Sequence, residues 1–142
     1  MRALILIAPR CPPCASRARQ LQDELAWRNF DARVEEADGA RELDVSDESL
    51  VVLAFPALVL PGLAIPLGSA RALLDSLRGL SGIQLAMLAI SPLGLKARLT
   101  SFGRQAEDRG AQLVAIRTIP PAGPRGGIID LAAECMSRVT GR

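Results

Sequence analysis

Ser49-Leu50-Val51-Val52-Leu53-Ala54-Phe55-Pro56 opens a run of eighteen residues, Leu50 to Leu67, that carries no charge. Eighteen apolar residues reach the length at which a helix can span a bilayer. Pro56, Pro61, Gly62 and Pro66 argue against that, because each proline removes a helix hydrogen bond and clashes with the preceding turn. The run instead predicts a strand over Leu50 to Phe55, buried on both faces, with an apolar loop behind it from Ala57 to Leu67. A strand with no polar side is what a parallel sheet sandwiched between helices requires.

The sequence on either side repeats the theme. Ala3 to Ala8 is a second continuous apolar run, and its length and lack of a cleavage site fit a strand better than a signal peptide. Ala18, Leu21 and Leu25 recur at helical spacing between Cys14 and Arg28. Ala32 and Val34 alternate with charged residues, as on a strand nearer the sheet edge. Asp38-Gly39 signals a turn, with a short helix expected over Ala40 to Asp44. Ser69 suits the N-cap of a helix carrying Leu73, Leu74, Leu77 and Leu80, and Ser81-Gly82 closes it. Ile83 to Ile90 predicts a strand. Leu95 to Arg109 predicts a helix with Leu99, Phe102 and Ala106 inward and Gly110 as its stop. Gln112 to Ile119 is a further strand, Pro120 to Gly127 a loop, and Ile128 to Val139 a last helix with Cys135 on its core face. Five strands alternating with five helices predict one domain over residues 1–142. It is an α/β fold, a three-layer α/β/α sandwich around a five-stranded parallel sheet.

Composition narrows the chemistry. A hydrophobic content of 49% with 23% charge is that of a globular chain rather than a disordered one. Seventeen basic and fifteen acidic residues leave +2 with no basic block, and aromatics are 3%, so neither electrostatics nor stacking favours nucleic acid. The chain has no histidine, which excludes Ser-His-Asp and Cys-His nucleophile pairs within it and the commonest metal ligand. Three cysteines are too few for a secreted disulfide framework and point to the cytoplasm, with no metal site and no membrane segment. Asp38, Asp44, Asp47 and Glu48 read as a solvated acidic patch.

Across nearly its whole length the chain resembles flavodoxins and related flavodoxin-like redox proteins. The resemblance is carried by Ser49 to Pro56, by Leu60-Pro61-Gly62 with Arg71-Ala72-Leu73-Leu74, and by Arg109-Gly110-Ala111-Gln112-Leu113-Val114. It implies the strand order 2-1-3-4-5, FMN as cofactor, and a crevice at the C-terminal strand ends. Carried over by position, it puts Arg10, Ser16 and Arg17 near the phosphate and Phe55, Pro56, Ala57, Ser91 and Gly94 around the ring. The loop that should hold the phosphate reads Pro9-Arg10-Cys11-Pro12-Pro13-Cys14-Ala15-Ser16. Its three prolines remove three N–H donors, and it has no glycine to let the backbone close on an anion.

The same loop offers other chemistry. Cys11 and Cys14, placed after a strand and opening a helix, have the spacing of a dithiol pair, and a helix N-terminus stabilises a thiolate. Residues 3 to 80 resemble thioredoxins and glutaredoxins in this respect. Cys11 to Arg17 also has the C-x5-R spacing of low-molecular-weight tyrosine phosphatases, but the prolines spoil an oxyanion-binding loop. Three functions therefore stand open: electron transfer through FMN if the altered loop admits it, a flavin-free dithiol/disulfide protein with Cys11 and Cys14 as catalytic residues, or a non-catalytic binding module. The expected partners are a redox protein and a second copy docked through the Ala57 to Leu67 loop.

Overall fold

The computed structural model of the chain describes residues 1–37, 42–60, 63–66, 73–91 and 100–140. Among these the elements run β1 (Arg2–Ile7), α1 (Pro12–Ala26), β2 (Asp31–Glu36), β3 (Leu43–Asp44), β4 (Leu50–Leu60), β5 (Leu63–Pro66), β6 (Leu77–Arg78), β7 (Gln84–Ile90), α2 (Thr100–Asp108), β8 (Gln112–Ile119) and α3 (Gly126–Thr140). The long strands form one sheet in the order β2-β1-β4-β7-β8, and every neighbouring pair is parallel. With the short strands set aside, this is the expected order 2-1-3-4-5.

Alternation along the central strands explains the layers. Leu4, Leu6, Val51, Leu53, Phe55, Leu85, Met87 and Ala89 point to one face, where they meet Leu73, Leu74 and Ala106. Ala3, Ile5, Ile7, Leu50, Val52, Ala54, Ala86, Leu88 and Ile90 point to the other, against the stripe Cys14, Ala18, Leu21, Leu25 of α1 and Ile128, Leu131, Ala132, Cys135 of α3. Each strand is apolar on both sides because it feeds two cores at once. The helices α1 and α3 lie side by side on that second face.

Three expectations change. The apolar loop after Phe55 is instead a continuation of β4 to Leu60, which folds back on β5 as an antiparallel pair from Ala57↔Pro66 to Leu60↔Leu63. The prolines at 56, 61 and 66 bias the residues before them towards extended backbone, and two residues between paired ends is the length of a tight hairpin. The helix expected from Ser69 to Leu80 is helical only over 73–75 among the described residues. There the Ser76 hydroxyl and N–H both donate to the Leu73 carbonyl, and Leu77-Arg78 then pairs with β3 as a parallel two-residue ladder. That ladder also replaces the end of the short helix expected over Ala40 to Asp44, whose first half lies outside the described residues. A side chain at Gly79 (φ +76°) would meet Asp44 Oδ1 at 2.7 Å, so this crossing needs glycine.

The last helices come nearer the expectation. Residues 92–99 lie outside the described residues, and α2 ends as foreseen: Gly110 is left-handed (φ +89°), with Ala111 N–H returning to the Ala106 carbonyl. Helix α3 starts at Gly126, two residues before the expected Ile128. The acidic patch is not uniformly solvated. Glu48 is 6% exposed, and its Oε1 accepts from Arg33 at 2.6 Å with Arg2 at 3.6 Å, while Asp44 and Asp47 are exposed.

Candidate functional site

The C-terminal ends of the parallel strands share one edge of the sheet, and the turn leaving β1 crosses it near the middle. Ala8 N–H is held by the Ala54 carbonyl of β4, and Ala37 N–H by the Ile7 carbonyl, so the turn departs from a fixed frame. Arg10 is left-handed (φ 57°), and its N–H donates to Glu36 Oε1 at 3.3 Å. That backbone is uncommon for a residue with a side chain, and it aims the chain into α1 within one residue.

Cys11 is the N-cap of α1, and Pro12 and Pro13 are its first two positions. The first turn of a helix normally presents unpaired N–H groups to an anion. Here the two prolines have none, and the first helix bond runs from Ala15 N–H to the Cys11 carbonyl at 3.1 Å. Only Cys14 N–H remains of the donors within that first turn. Cys11 and Cys14, with Cα atoms 5.2 Å apart, are joined by a disulfide. Cys14 is fully buried, whereas Cys11 is half-buried where the two cores meet, packed against both. The pair is therefore asymmetric, with Cys11 partly exposed and Cys14 enclosed.

Arg17, expected at a phosphate, turns elsewhere. It lies on the buried stripe of α1, 1% exposed, and burial pulls the pKa of its guanidinium below the ordinary arginine value. Nε donates to the Pro120 carbonyl at 3.0 Å, and Nη1 donates to Gln20 Oε1 and to the carbonyls of Gly123 and Pro124. Three carbonyls of the β8–α3 loop are thereby held by one side chain. Helical spacing from Cys14 through Arg17 and Leu21 puts Arg17 on the apolar stripe, and that was the signal available in the sequence. The partnership with Pro120, Gly123 and Pro124, a hundred residues away, had none.

The remaining expected residues are scattered. Ser16 is exposed on α1, and Arg10 is exposed beside the disulfide. Phe55 is fully buried in the core, so its ring is not at the crevice surface; Ala57 is 5% exposed and Pro56 partly exposed. Ser91 is buried with its N–H on the Ile119 carbonyl, and Gly94 lies outside the described residues. Cys135 is buried and free, and hydrocarbon around its thiol pushes it up to about 12. Among the described residues no group of three or more His, Cys, Asp or Glu side chains is placed to hold a metal. No described helix is long and apolar enough to cross a membrane.

No protein-family model and no curated protein matches the sequence. Solved structures do match. The chain superposes on a flavodoxin of Streptococcus pneumoniae TIGR4 with a TM-score of 0.67 at 14% identity, covering 99% of each chain. The fold is flavodoxin-like. A two-electron reduced flavodoxin of Megasphaera elsdenii matches with a TM-score of 0.67 at 12% identity, over 96% of this chain and 99% of that one. The apo form of an NADH:FMN oxidoreductase matches with a TM-score of 0.65 at 14% identity, over 97% of this chain and 87% of that one. At such identities the likeness speaks for the scaffold alone.

The FMN phosphate does not fit the turn that the flavodoxin-like fold offers it. Two of the first-turn donors are missing, a disulfide bridges the N-cap to the third helical residue, and the nearest arginine of α1 is bonded to the β8–α3 loop.

Proposed function

We propose that the chain is a flavodoxin-like redox protein whose working group is the Cys11–Cys14 pair. The observation that carries this reading is the disulfide at the start of α1, with Cys11 partly exposed and Cys14 enclosed. Exchange needs that asymmetry. In the reduced form the Cys11 thiolate attacks one sulfur of a substrate disulfide, releasing the other as a thiolate and forming a mixed disulfide. The Cys14 thiolate then attacks Cys11 Sγ, closing the internal disulfide and releasing the second substrate thiolate. Two electrons pass to the substrate, and the two protons once on Cys11 and Cys14 end on its thiols. A partner that brings a disulfide, or a dithiol for the reverse direction, is implied.

Electron transfer through FMN is the alternative, favoured by the whole-length likeness to flavodoxins and to an enzyme named for FMN. It lacks a phosphate seat at the β1–α1 turn.

Trapping separates the cysteines. Reduced Cys14→Ser should form a stable mixed disulfide with a model disulfide, because nothing resolves it, and Cys11→Ser should form none. A Cys11 thiol that stays unreactive at neutral pH in the folded, reduced protein would remove this reading.

A further inference from the structure

We propose that the reduced Cys11–Cys14 pair is also a two-coordinate site for a soft monovalent cation, Cu(I). This rests on the dithiol reading, since the pair must first be opened by a thiol reductant. Two electrons from that reductant break the S–S bond, the reductant closes its own disulfide, and Cys11 and Cys14 become thiols. Binding of Cu(I) then releases both protons to water and leaves a bis-thiolate complex of net charge −1.

Donor number selects the metal. Thiolates are soft ligands and favour Cu(I), whereas zinc in a structural site asks for four donors. Here there are two. The chain has no histidine, no larger donor cluster exists among the described residues, and Cys135 is committed to the core. A linear S–Cu–S arrangement needs sulfurs separated by about two metal–sulfur bonds, on the scale of the ~2.3 Å zinc–thiolate bond. A Cα spacing of 5.2 Å allows this once the disulfide is open, with the half-buried Cys11 as the sulfur that moves.

The surroundings suit a buried anionic complex. Both sulfurs lie at the N-terminus of a fifteen-residue helix, where the dipole favours negative charge. The prolines at the first two helical positions fix the short segment between the two ligands. Cys14 is fully buried in an apolar cluster that also holds Ile7 and Ala18, which keeps water from that side of the ion.

The test is anaerobic competition of the reduced full-length protein against a chromophoric Cu(I) chelator, alongside a count of reactive thiols in the same sample. Expected is one Cu(I) retained per chain and lost in Cys11→Ser and in Cys14→Ser. Retention should be unchanged in Cys135→Ala, and Zn(II) should not be held against a chelator. If the thiols react and re-form the disulfide yet no Cu(I) is retained, or if Zn(II) is held as firmly, the copper site is overturned and thiol exchange stands. If the pair cannot be reduced in the folded protein, the thiol count reports that separately and both ideas fall.

Discussion

Arg17 is as buried as the leucines it shares a helix face with, and its guanidinium replaces water for the carbonyls of Pro120, Gly123 and Pro124. Removing one partner from a buried charged network costs more than the network contributes, because the remaining groups lose solvent and partner together. Arg17→Leu should therefore lower stability by ~2–4 kcal/mol, read as a fall in the urea midpoint with little change in slope. Arg17→Lys should not restore it, since a compact ammonium cannot replace the separate Nε and Nη1 donors of the planar guanidinium. Cys135 gives a pH dependence. Its thiol rises from 9.0 to about 12 on folding, so the unfolded chain loses its proton first as pH increases. Stability from this group is intact below pH 9 and falls between 9 and 12. Cys135→Ala should flatten that alkaline loss, measured as the denaturation midpoint against pH. A wild-type profile already flat over this range would contradict it.

The start of α1 shows at the level of an element how sequence decides chemistry. Pro at the first helical positions favours the helix but strips it of N–H groups. Pro12→Ala with Pro13→Ala should give those donors back to a thiolate on Cys11. The expected result is a lower apparent pKa in the pH dependence of Cys11 alkylation, with far-ultraviolet circular dichroism unchanged; an unmoved profile would mean the dipole and Cys14 N–H already suffice. The strands of the sheet were legible because β1, β4 and β7 carry unbroken apolar runs, the pattern expected of a strand covered on both faces. Helix α1 was legible by its stripe, and the end of α2 by Gly110. What escaped reading was decided at long range. Leu73, Leu74, Leu77 and Leu80 have helical spacing, yet Leu77 belongs to a ladder with Leu43, a partner thirty-four positions earlier. The β4–β5 pair was hidden because an apolar stretch broken by prolines reads as a loop, and the pairing that makes it a hairpin is not local. The candidate site was legible as a motif, Cys11 and Cys14, but its asymmetric burial depends on both cores meeting at Cys11.

Taken as a whole, the molecule separates scaffold from ligand chemistry. Its strand order and length match flavodoxins, and the same scaffold hosts unrelated functions because ligands are held by the turns at the strand ends. A flavin mononucleotide differs from riboflavin only by its phosphate, so the ratio of the two affinities reads the β1–α1 turn alone. A turn that cradles the phosphate with backbone donors and a helix dipole makes FMN the tighter ligand, each tenfold corresponding to ~1.4 kcal/mol. Here Pro12 and Pro13 offer no N–H, and the guanidinium of Arg17 is held by carbonyls of the β8–α3 loop. Titration followed by flavin fluorescence should find FMN bound no more tightly than riboflavin, whether both bind weakly or neither binds. The Pro12→Ala, Pro13→Ala variant should then begin to favour FMN, since it returns donors to the phosphate position. If the wild-type protein prefers FMN by tenfold or more, a phosphate seat exists that the β1–α1 turn does not supply, and the flavin carrier displaces the dithiol as the working group.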